Sequence, residues 1–451
     1  MTILGITSNI DAIAKFAVST RTEEIPESVL QLGRMCVVDW FGVALGACDD
    51  PTAVAVRGAA LSLWPTGGRS MVLLGDPAPA AAAALINGTM AHCLDYDDTH
   101  IAAVAHLSGA TFAAAYAAGT DIGAPPERIL RALICGFEVG ARLGLQEFGS
   151  TLNHRGWHST SILACLAATT AACIVYELDE DHVRRALGAA ATQVGGLTAS
   201  FGTMSKPFHA GKAALNALIS VELARSGFQP KLDLIEPEGG LSAVLVQDGA
   251  VHIPQVHFDS DWELLKNTFK PYASCLLTHP VIDAARALKE FGNNQKVSSI
   301  IAYVNPMTTK LAGKTNVGTP LEGKFSTAFC VAMALRGNLL TAKDFIAENI
   351  ANNDVAELAE KVKLVIDNDM PKVAARLVIE YDSGESAEKR IDFALGNPEN
   401  PMSFDDIQAK FIGLTKPVLG EKSLELFNDL ANFDVCKLKN IARLTASGAA
   451  G

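Results

Sequence analysis

The length, composition and charge of the chain limit what it can be. It has 451 residues, of which 49% are hydrophobic but only 6% aromatic, and a formal net charge of −12. A chain of this length exceeds the usual size of one hydrophobic core, so we expect two structural domains, and the composition favours helices. The negative charge disfavours nucleic acids and anionic membranes as main partners, so a site for an anion must be locally cationic.

Three features predict a soluble, cytoplasmic protein. The nine cysteines occur singly, without a Cys-x-x-Cys pair, which is typical of reduced thiols. The first residues lack the basic segment and long apolar segment of a secretion signal. The most apolar stretches, residues 101–119 and 159–176, consist mainly of Ala, Gly, Ser and Thr, so we interpret them as buried helices and not as membrane spans.

Residues 11–265 have the pattern of a helical bundle. Long segments with apolar residues at helical spacing alternate with short polar interruptions. The predicted helices include residues 28–46, 80–91, 127–143 and 182–190. Asp181 is the predicted N-cap of the last of these. We assign residues 1–267 to a large all-helical domain.

The pattern changes near residue 270. Segments rich in β-branched residues predict strands, and residues 382–385 predict a hairpin turn. The predicted strands are 298–304, 361–366, 375–381 and 389–393, with helices at 325–335 and 342–349. We assign residues 268–399 to a smaller α+β domain. The chain is then helical to residue 444, and periodicity leaves open whether residues 400–451 return to the first domain.

Groups of polar residues interrupt this apolar background. The first group lies between two apolar helices and crowds into fifteen positions: His92, Asp95, Asp97, Asp98, Thr99, His100 and His106. Asp97 and Asp98 are good helix caps, and capping is the simpler interpretation of these two taken alone. A metal site is a competing interpretation, disfavoured because no helical His-x-x-x-His spacing accompanies it.

The second and third groups each open an apolar helix. In the second, Arg155 is a natural fork for a carboxylate, and His158 fits a hydrogen-bonded core histidine as well as a catalytic one. In the third, Lys206 and His209 lie in a glycine-bounded segment, an arrangement that binds anions at a helix start. A phosphate-binding P-loop is excluded because Lys206 takes the place of its first glycine.

The fourth group, residues 270–280, lies at the predicted domain junction, where clefts form. Lys270 opens the group, and His279 precedes a proline that can start a helix. The histidine would then be held on the first turn of that helix.

Five segments, taken together and in order, resemble a known family. AHCLDYDDTH, GWHSTS, GTMSKPFHAGKAA, FKPYASCLLTHPVIDA and KFSTAFCVAMAL are similar to signature segments of the MmgE/PrpD family, which includes 2-methylcitrate dehydratase, cis-aconitate decarboxylase and iminodisuccinate epimerase. The resemblance runs from near residue 10 to beyond residue 330. It implies a mainly α fold, in which both chain ends form the all-helical domain and the smaller α+β domain is a lid. It also implies a cleft between them, a homodimer, and no metal or organic cofactor.

The resemblance also implies the site residues. By motif they are Asp95, Thr99, His106, His158, Lys206 and His279. Three positions depart from the family pattern: Leu107 where proline commonly follows the histidine, Ala273 where KPYP is usual, and Phe329 where many members have tyrosine. The loss of that hydroxyl bears on the identity of the substrate more than on the family.

The chemistry expected of these residues is proton transfer next to a carboxylate. It requires a positioned base, with cations or donors aimed at the developing negative oxygen atoms. We hypothesise that His106 and His158 are the acid–base pair, in either order, and that Asp95 orients or polarises one of them. The other predicted roles are carboxylate binding by Lys206, Arg155, His209 and Lys270, hydrogen bonding to substrate by Thr99, and carboxylate binding or proton relay by His279.

Dehydration, decarboxylation and epimerisation share this chemistry. Among them we favour a 2-methylcitrate dehydratase-like lyase acting on a small di- or tricarboxylic acid. The alternatives are cis-aconitate decarboxylase-like or iminodisuccinate epimerase-like activity, or a catalytically silent carboxylate-binding protein. An iron–sulfur hydro-lyase would need clustered cysteines, which their scatter disfavours.

Overall fold

The first part of the chain forms a bundle of α-helices. The structure, a computed structural model, describes residues 8–65, 67–236, 239–259, 261–291 and 295–446. The helices of the first part are α1 (Asn9–Ser19), α2 (Glu27–Gly46), α3 (Pro51–Leu63), α4 (Ala80–Cys93), α5 (Leu107–Ile122), α6 (Pro126–Leu143), α7 (Phe148–His154), α8 (Ser159–Val175), α9 (Glu180–Ala191), α10 (Ser205–Arg225) and α11 (Leu241–Leu245).

Helix α8 lies at the centre of this bundle. All of its residues are buried, and it packs against α5, α6 and α10. Because every face is covered, small and apolar residues occur all round the helix and not in a single stripe. Burial of α5 and α8 accounts for the two most apolar stretches of the sequence. One described helix, α2, is long and apolar enough to cross a membrane, and 72% of its most apolar stretch is buried inside the protein.

Close contact between α4 and α10 positions the start of α10. Gly88 and Gly211 lie at the contact, and a Cβ atom added to Gly211 would lie 2.1 Å from the hydroxyl oxygen of Thr89. Only glycine leaves room for two helices to approach this closely. The contact brings Lys206 and His209, in the first turns of α10, to the end of α4.

A two-stranded sheet joins the helical part to the rest of the chain. β1 (Thr99–His100) pairs antiparallel with β2 (Asn267–Thr268), so that Thr99 lies opposite Thr268. β1 follows the polar segment after α4, and β2 ends two residues before Lys270. The pairing therefore brings Lys270 to the residues that follow α4.

The smaller part combines a mixed sheet with short helices. Its strands are β3 (Val297–Val304), β4 (Val362–Ile366), β5 (Ala375–Tyr381) and β6 (Ser386–Ile391). Their order is β4-β3-β5-β6, with β3 parallel to β4 and the other pairs antiparallel. The helices are α12 (His279–Leu288), α13 (Pro306–Ala312), α14 (Pro320–Gly323), α15 (Thr327–Leu335), α16 (Ala347–Ile350) and α17 (Asn353–Glu360). Alternate residues of β5 are buried, and α12 packs against β5 and β6.

The last helices pack against the first part of the chain. They are α18 (Phe404–Leu419), α19 (Lys422–Ala431) and α20 (Leu438–Leu444). Phe411 of α18 lies against Gly42 of α2, and the Lys410 ammonium group pairs with the buried Asp39 carboxylate at 2.6 Å. The same ammonium group donates a hydrogen bond to the carbonyl oxygen of Tyr96 at 2.6 Å. These contacts agree with the predicted return of the chain to the helical part for residues 404–444, while the domain limits themselves stay a prediction.

The predicted fold class, mainly α with a smaller α+β part, is confirmed. The hairpin predicted after β5 also forms, but β6 begins at Ser386 and not at residue 389. The reason is a tight turn, in which the Tyr381 N–H donates to the carbonyl oxygen of Glu385.

Two helix predictions were wrong in detail. Asp179, not Asp181, caps α9, because its carboxylate accepts a hydrogen bond from the backbone N–H of His182 at 2.9 Å. The predicted helix 342–349 is two short helical elements, because the backbone at Ile346 is extended and breaks the helical hydrogen bonds.

Candidate active site

A cavity lies where the helical part meets the sheet-containing part. Its empty volume is about 670 Å³, part of which is open to solvent. The polar residues of its wall are Asp95, Thr99, His106, Asn153, His158, Thr160, Lys206, Lys270 and Lys372. The other wall residues are Ile101, Val104, Phe201, Cys275, Leu276, Leu277, Met307, Leu311, Phe325 and Val373. The cavity thus combines ammonium groups and imidazoles with a largely apolar wall, which suits a small organic acid.

Asp95 holds two lysines at the cavity. Its Oδ1 atom accepts hydrogen bonds from the ammonium groups of Lys206 at 2.7 Å and Lys270 at 3.0 Å. Burial opposes ionisation, yet these two ammonium groups hold the pKa of Asp95 well below its usual range. Asp95 has a φ of 50° and Val104, in the same wall, a φ of 51°, both in the left-handed region that such residues rarely occupy. Strain of this kind is typical of functional sites.

His106 is held by a carboxylate that lies behind it. Oδ2 of Asp97 lies 3.2 Å from Nδ1 of His106 and 2.8 Å from Nδ1 of His92. Burial opposes ionisation of Asp97, but the two histidines hold its pKa well below the usual range. With the carboxylate ionised, each imidazole donates its Nδ1 proton to it. Nε2 of His106 is then unprotonated, has no hydrogen-bond partner among the described residues, and lies 3.8 Å from Oδ1 of Asp95.

The same three residues lie close enough to hold a metal ion. The ligand atoms of His92, Asp97 and His106 all lie within 4.8 Å of one another. Hydrogen bonds already use Nδ1 of His92 and account for the arrangement without an ion. That the protein needs neither metal nor organic cofactor stays a prediction.

A second pair of imidazoles lies at the start of α8 and α10. Nδ1 of His158 lies 3.0 Å from Nδ1 of His209, so one ring donates the proton of this hydrogen bond and the other accepts it. His158 lines the cavity, while His209 does not. His209 therefore fixes the orientation of the His158 ring, and Nε2 of His158 has no hydrogen-bond partner in the part of the chain that the structure describes.

Burial keeps these four imidazoles neutral. It lowers the pKa of His106, lowers that of His158 well below the ordinary value, and lowers those of His92 and His209 to about 4. The ammonium group of Lys206 adds to the effect on each of them. At neutral pH the imidazoles are therefore bases, and the positive charge in the cavity belongs to lysines.

Most of the residues predicted from the sequence meet in this cavity. Asp95, Thr99, His106, His158, Lys206 and Lys270 all line it. The hydroxyl oxygen of Thr99 lies 3.3 Å from Nδ1 of His106, which places its hydroxyl beside the imidazole. The roles assigned to these residues stay predictions.

Three predicted residues lie elsewhere, and their predicted contacts with substrate need correction. Arg155 is exposed and forms an ion pair with Asp248, so it is not a cavity residue. His279 is fully buried, with Nε2 3.3 Å from the carbonyl oxygen of Ser274. Burial and the charge of Lys270 lower the pKa of His279 to about 3, so it is a neutral core histidine. His209 contacts His158 and does not line the cavity.

Several residues that contribute to the site were not predicted from the sequence. Asn153 and Thr160 line the cavity, and the Thr160 hydroxyl oxygen accepts a hydrogen bond from the backbone N–H of His106 at 3.1 Å. Both belong to the segment around GWHSTS, so that segment contained the signal. His92 and Asp97 lie in the first polar group, but capping explained Asp97 there. No sequence signal marks Lys372.

Comparison with known proteins identifies the family. The MmgE/PrpD N-terminal domain matches residues 11–253, and the MmgE/PrpD C-terminal domain matches residues 272–431. The chain belongs to the MmgE/PrpD family. This assignment confirms the resemblance predicted from the ordered segments.

Relatives of this MmgE/PrpD protein include cis-aconitate decarboxylases. The Aspergillus terreus enzyme is 26% identical, over 94% of this chain and 92% of its own length. The Homo sapiens and Mus musculus enzymes are both 24% identical, over 92% and 90% of this chain and 90% and 86% of their own lengths. The matches support a lyase of the MmgE/PrpD family. They do not specifically support the 2-methylcitrate dehydratase activity predicted from the sequence.

Proposed function

We propose that this protein is a lyase that transfers a proton at the carbon next to a carboxylate of a small di- or tricarboxylic acid, and that it decarboxylates a cis-aconitate-like acid. One observation carries the proposal: His106, with Nε2 free, lines the same cavity as the ammonium groups of Lys206 and Lys270. Imidazoles and ammonium groups are the two kinds of group that this chemistry requires.

In the proposed reaction, Lys206 and Lys270 bind carboxylates of the substrate and stabilise charge that develops on their oxygen atoms. The bond between one carboxylate carbon and its neighbouring carbon breaks, and carbon dioxide leaves. The electron pair moves through the adjacent double bond to a carbon atom that takes up a proton. That proton comes from His106 or His158. Burial keeps both imidazoles neutral at neutral pH, so one of them must first take up a proton, and the imidazolium so formed gives the proton up readily because its pKa is lowered.

Dehydration would use the same groups in the opposite sense. A neutral imidazole would first remove the proton next to the carboxylate, and a hydroxyl group would then take up a proton from an imidazolium group and leave as water. Decarboxylation should therefore slow as the pH rises through the pKa of the histidine, whereas proton removal should slow as the pH falls through it. Relatives that match this chain over most of their length are cis-aconitate decarboxylases, which favours decarboxylation over the dehydration predicted from the sequence.

Proton NMR in heavy water tests the proposal. Wild-type protein is incubated separately with cis-aconitate, 2-methylcitrate, citrate and iminodisuccinate, and products and deuterium incorporation are followed. We expect turnover of cis-aconitate with deuterium at the protonated carbon. We expect the turnover rate of His106→Ala to be at least about 100-fold lower than that of the wild type. His257→Ala, at an exposed histidine, is the matched control and should keep the wild-type rate.

Each other outcome has a definite meaning. Turnover of 2-methylcitrate alone would mean that the activity is dehydration and not decarboxylation. The proposed proton-transfer site would still hold. Binding of these acids without turnover or deuterium incorporation would support a catalytically silent carboxylate-binding protein. A wild-type rate in His106→Ala would refute the assignment of the site.

A further inference from the structure

A third lysine enters the cavity from the sheet-containing part. Lys372 lies in the loop between β4 and β5 and lines the cavity together with Val373. Hydrogen bonds fix this loop on both sides of Lys372. The Asn305 side chain donates to the carbonyl oxygen of Met370 at 2.7 Å, and the backbone N–H of Ala394 donates to the carbonyl oxygen of Val373 at 3.3 Å. The position of Lys372 is therefore set by the sheet and not by a free loop.

Unlike the other two cavity lysines, Lys372 has no counterion in the part of the chain that the structure describes. Lys206 and Lys270 share the carboxylate of Asp95, whereas Lys372 forms no ion pair or hydrogen bond with any described residue. Burial lowers its pKa, and the acid that acts against this effect is Glu147, an exposed residue beyond ion-pair distance. A half-buried, uncompensated ammonium group at a cavity wall attracts an anion.

Lys372 is also separate from the charged cluster around Asp95. Oδ1 of Asp95 lies 2.7 Å from the ammonium group of Lys206 and 3.0 Å from that of Lys270, whereas no carboxylate of the described residues lies within ion-pair distance of Lys372. Instead, Lys372 helps to lower the pKa of His154, at the end of α7. The cavity thus has cations at two places, and its wall also contains apolar residues that suit a hydrocarbon chain.

Resting on the proposed function, we propose that Lys372 is a second carboxylate subsite, which binds the carboxylate farthest from the reacting carbon. The substrate class that fits is an acid with at least two carboxylates separated by a short hydrocarbon chain. One carboxylate lies at Lys206 and Lys270, where proton transfer occurs, and the remote one lies at Lys372. Lys372 then contributes to substrate selection and not to the chemical step.

Steady-state kinetics of Lys372→Met test this subsite. We expect KM for the tricarboxylate to rise about 10- to 100-fold, the effect of losing a charge-assisted hydrogen bond, while kcat changes less than about threefold. Lys372→Arg, which keeps the charge, should restore most of the affinity. Lys363→Met, at an exposed lysine of β4, is the matched control and should leave both constants unchanged.

Direct binding separates this inference from the proposed function. Calorimetry measures binding of propane-1,2,3-tricarboxylate, a saturated non-reacting acid, to wild-type protein and to Lys372→Met. A loss of affinity of about 10-fold or more in the variant supports the subsite even if the wild type turns over no acid, a result that would refute only the proposed function. Equal affinity in both proteins overturns the subsite and leaves the proposed function standing. If the wild-type protein does not bind propane-1,2,3-tricarboxylate, both the subsite and the proposed function are refuted.

Discussion

The hydrogen bond from His106 to Asp97 gives the sharpest test of the mechanism. Asp97→Asn keeps the size of the side chain but removes its charge and replaces one acceptor oxygen by a donor NH₂ group. Nδ1 of His92 lies 3.0 and 2.8 Å from the two oxygens of Asp97, and Nδ1 of His106 lies 3.2 Å from the second of them. The NH₂ group of an asparagine would therefore face at least one of these two imidazole donors, which must lose its acceptor or change its tautomer. Asp97 does not line the cavity, so the variant leaves the contact surface for the substrate unchanged.

The expected effect lies in kcat. Correct placement of a general acid or base contributes about 10²- to 10⁴-fold, so we expect kcat to fall by about that range while KM changes little. The negative charge of Asp97 raises the pKa of His106 against the effect of burial. Removing the charge lowers that pKa, so the limb of the pH–rate profile that reports His106 should move to lower pH.

The assay is a pH–rate profile for wild type and Asp97→Asn, with circular dichroism to check folding. Asp179→Asn is the matched control, because Asp179 forms a similar pair with Nδ1 of His182, at 2.7 Å, on the surface. A folded Asp97→Asn variant with kcat within about threefold of wild type and an unmoved limb would refute the reasoning.

Three further changes probe the site and its support. Lys410→Met leaves the buried Asp39 carboxylate without its cation and should lower the free energy of unfolding by about 3–5 kcal/mol, measured by urea denaturation. His209→Phe removes the hydrogen bond that orients His158 and should lower kcat about 10- to 100-fold with little change in thermal stability, measured by turnover and calorimetry. Arg155→Ala should leave kcat and KM unchanged, because Arg155 lies outside the cavity. A tenfold rise in KM would instead indicate that Arg155 binds the substrate.

The sequence predicted the polar wall of the cavity well because most of it comes from short, distinctive segments. Asp95, Thr99 and His106 lie within twelve positions of one another, and Lys206 opens a helix where an anion site is expected. Local pattern alone could not separate Arg155 from His158, three residues apart. Asp248, 93 residues further along the chain, pairs with Arg155 at the surface, and no local pattern predicts that partner.

Residues whose role depends on tertiary contacts were not predicted from the sequence. Lys372 reaches the cavity because β4 and β5 flank β3, and a loop lysine carries no signature of such a position. Asp97 was a good cap by residue type, but its carboxylate binds two imidazoles instead of a helix start. The same limit explains α9, where either Asp179 or Asp181 could cap the helix by residue type, and only the backbone geometry decides.

The pairing of β1 with β2 has a consequence for how a substrate enters. Thr99 pairs across this small ladder with Thr268, two residues before Lys270, and the ammonium group of Lys270 donates a hydrogen bond to Oδ1 of Asp95 at 3.0 Å. Asp95 thus holds Lys206 and Lys270 in place before an acid binds, while Met307 and the loop that bears Lys372 reach the cavity from the sheet-containing part. Entry of the substrate and preparation of the charged groups would then be separate events, so the protein could admit an acid without first rebuilding the groups that act on it.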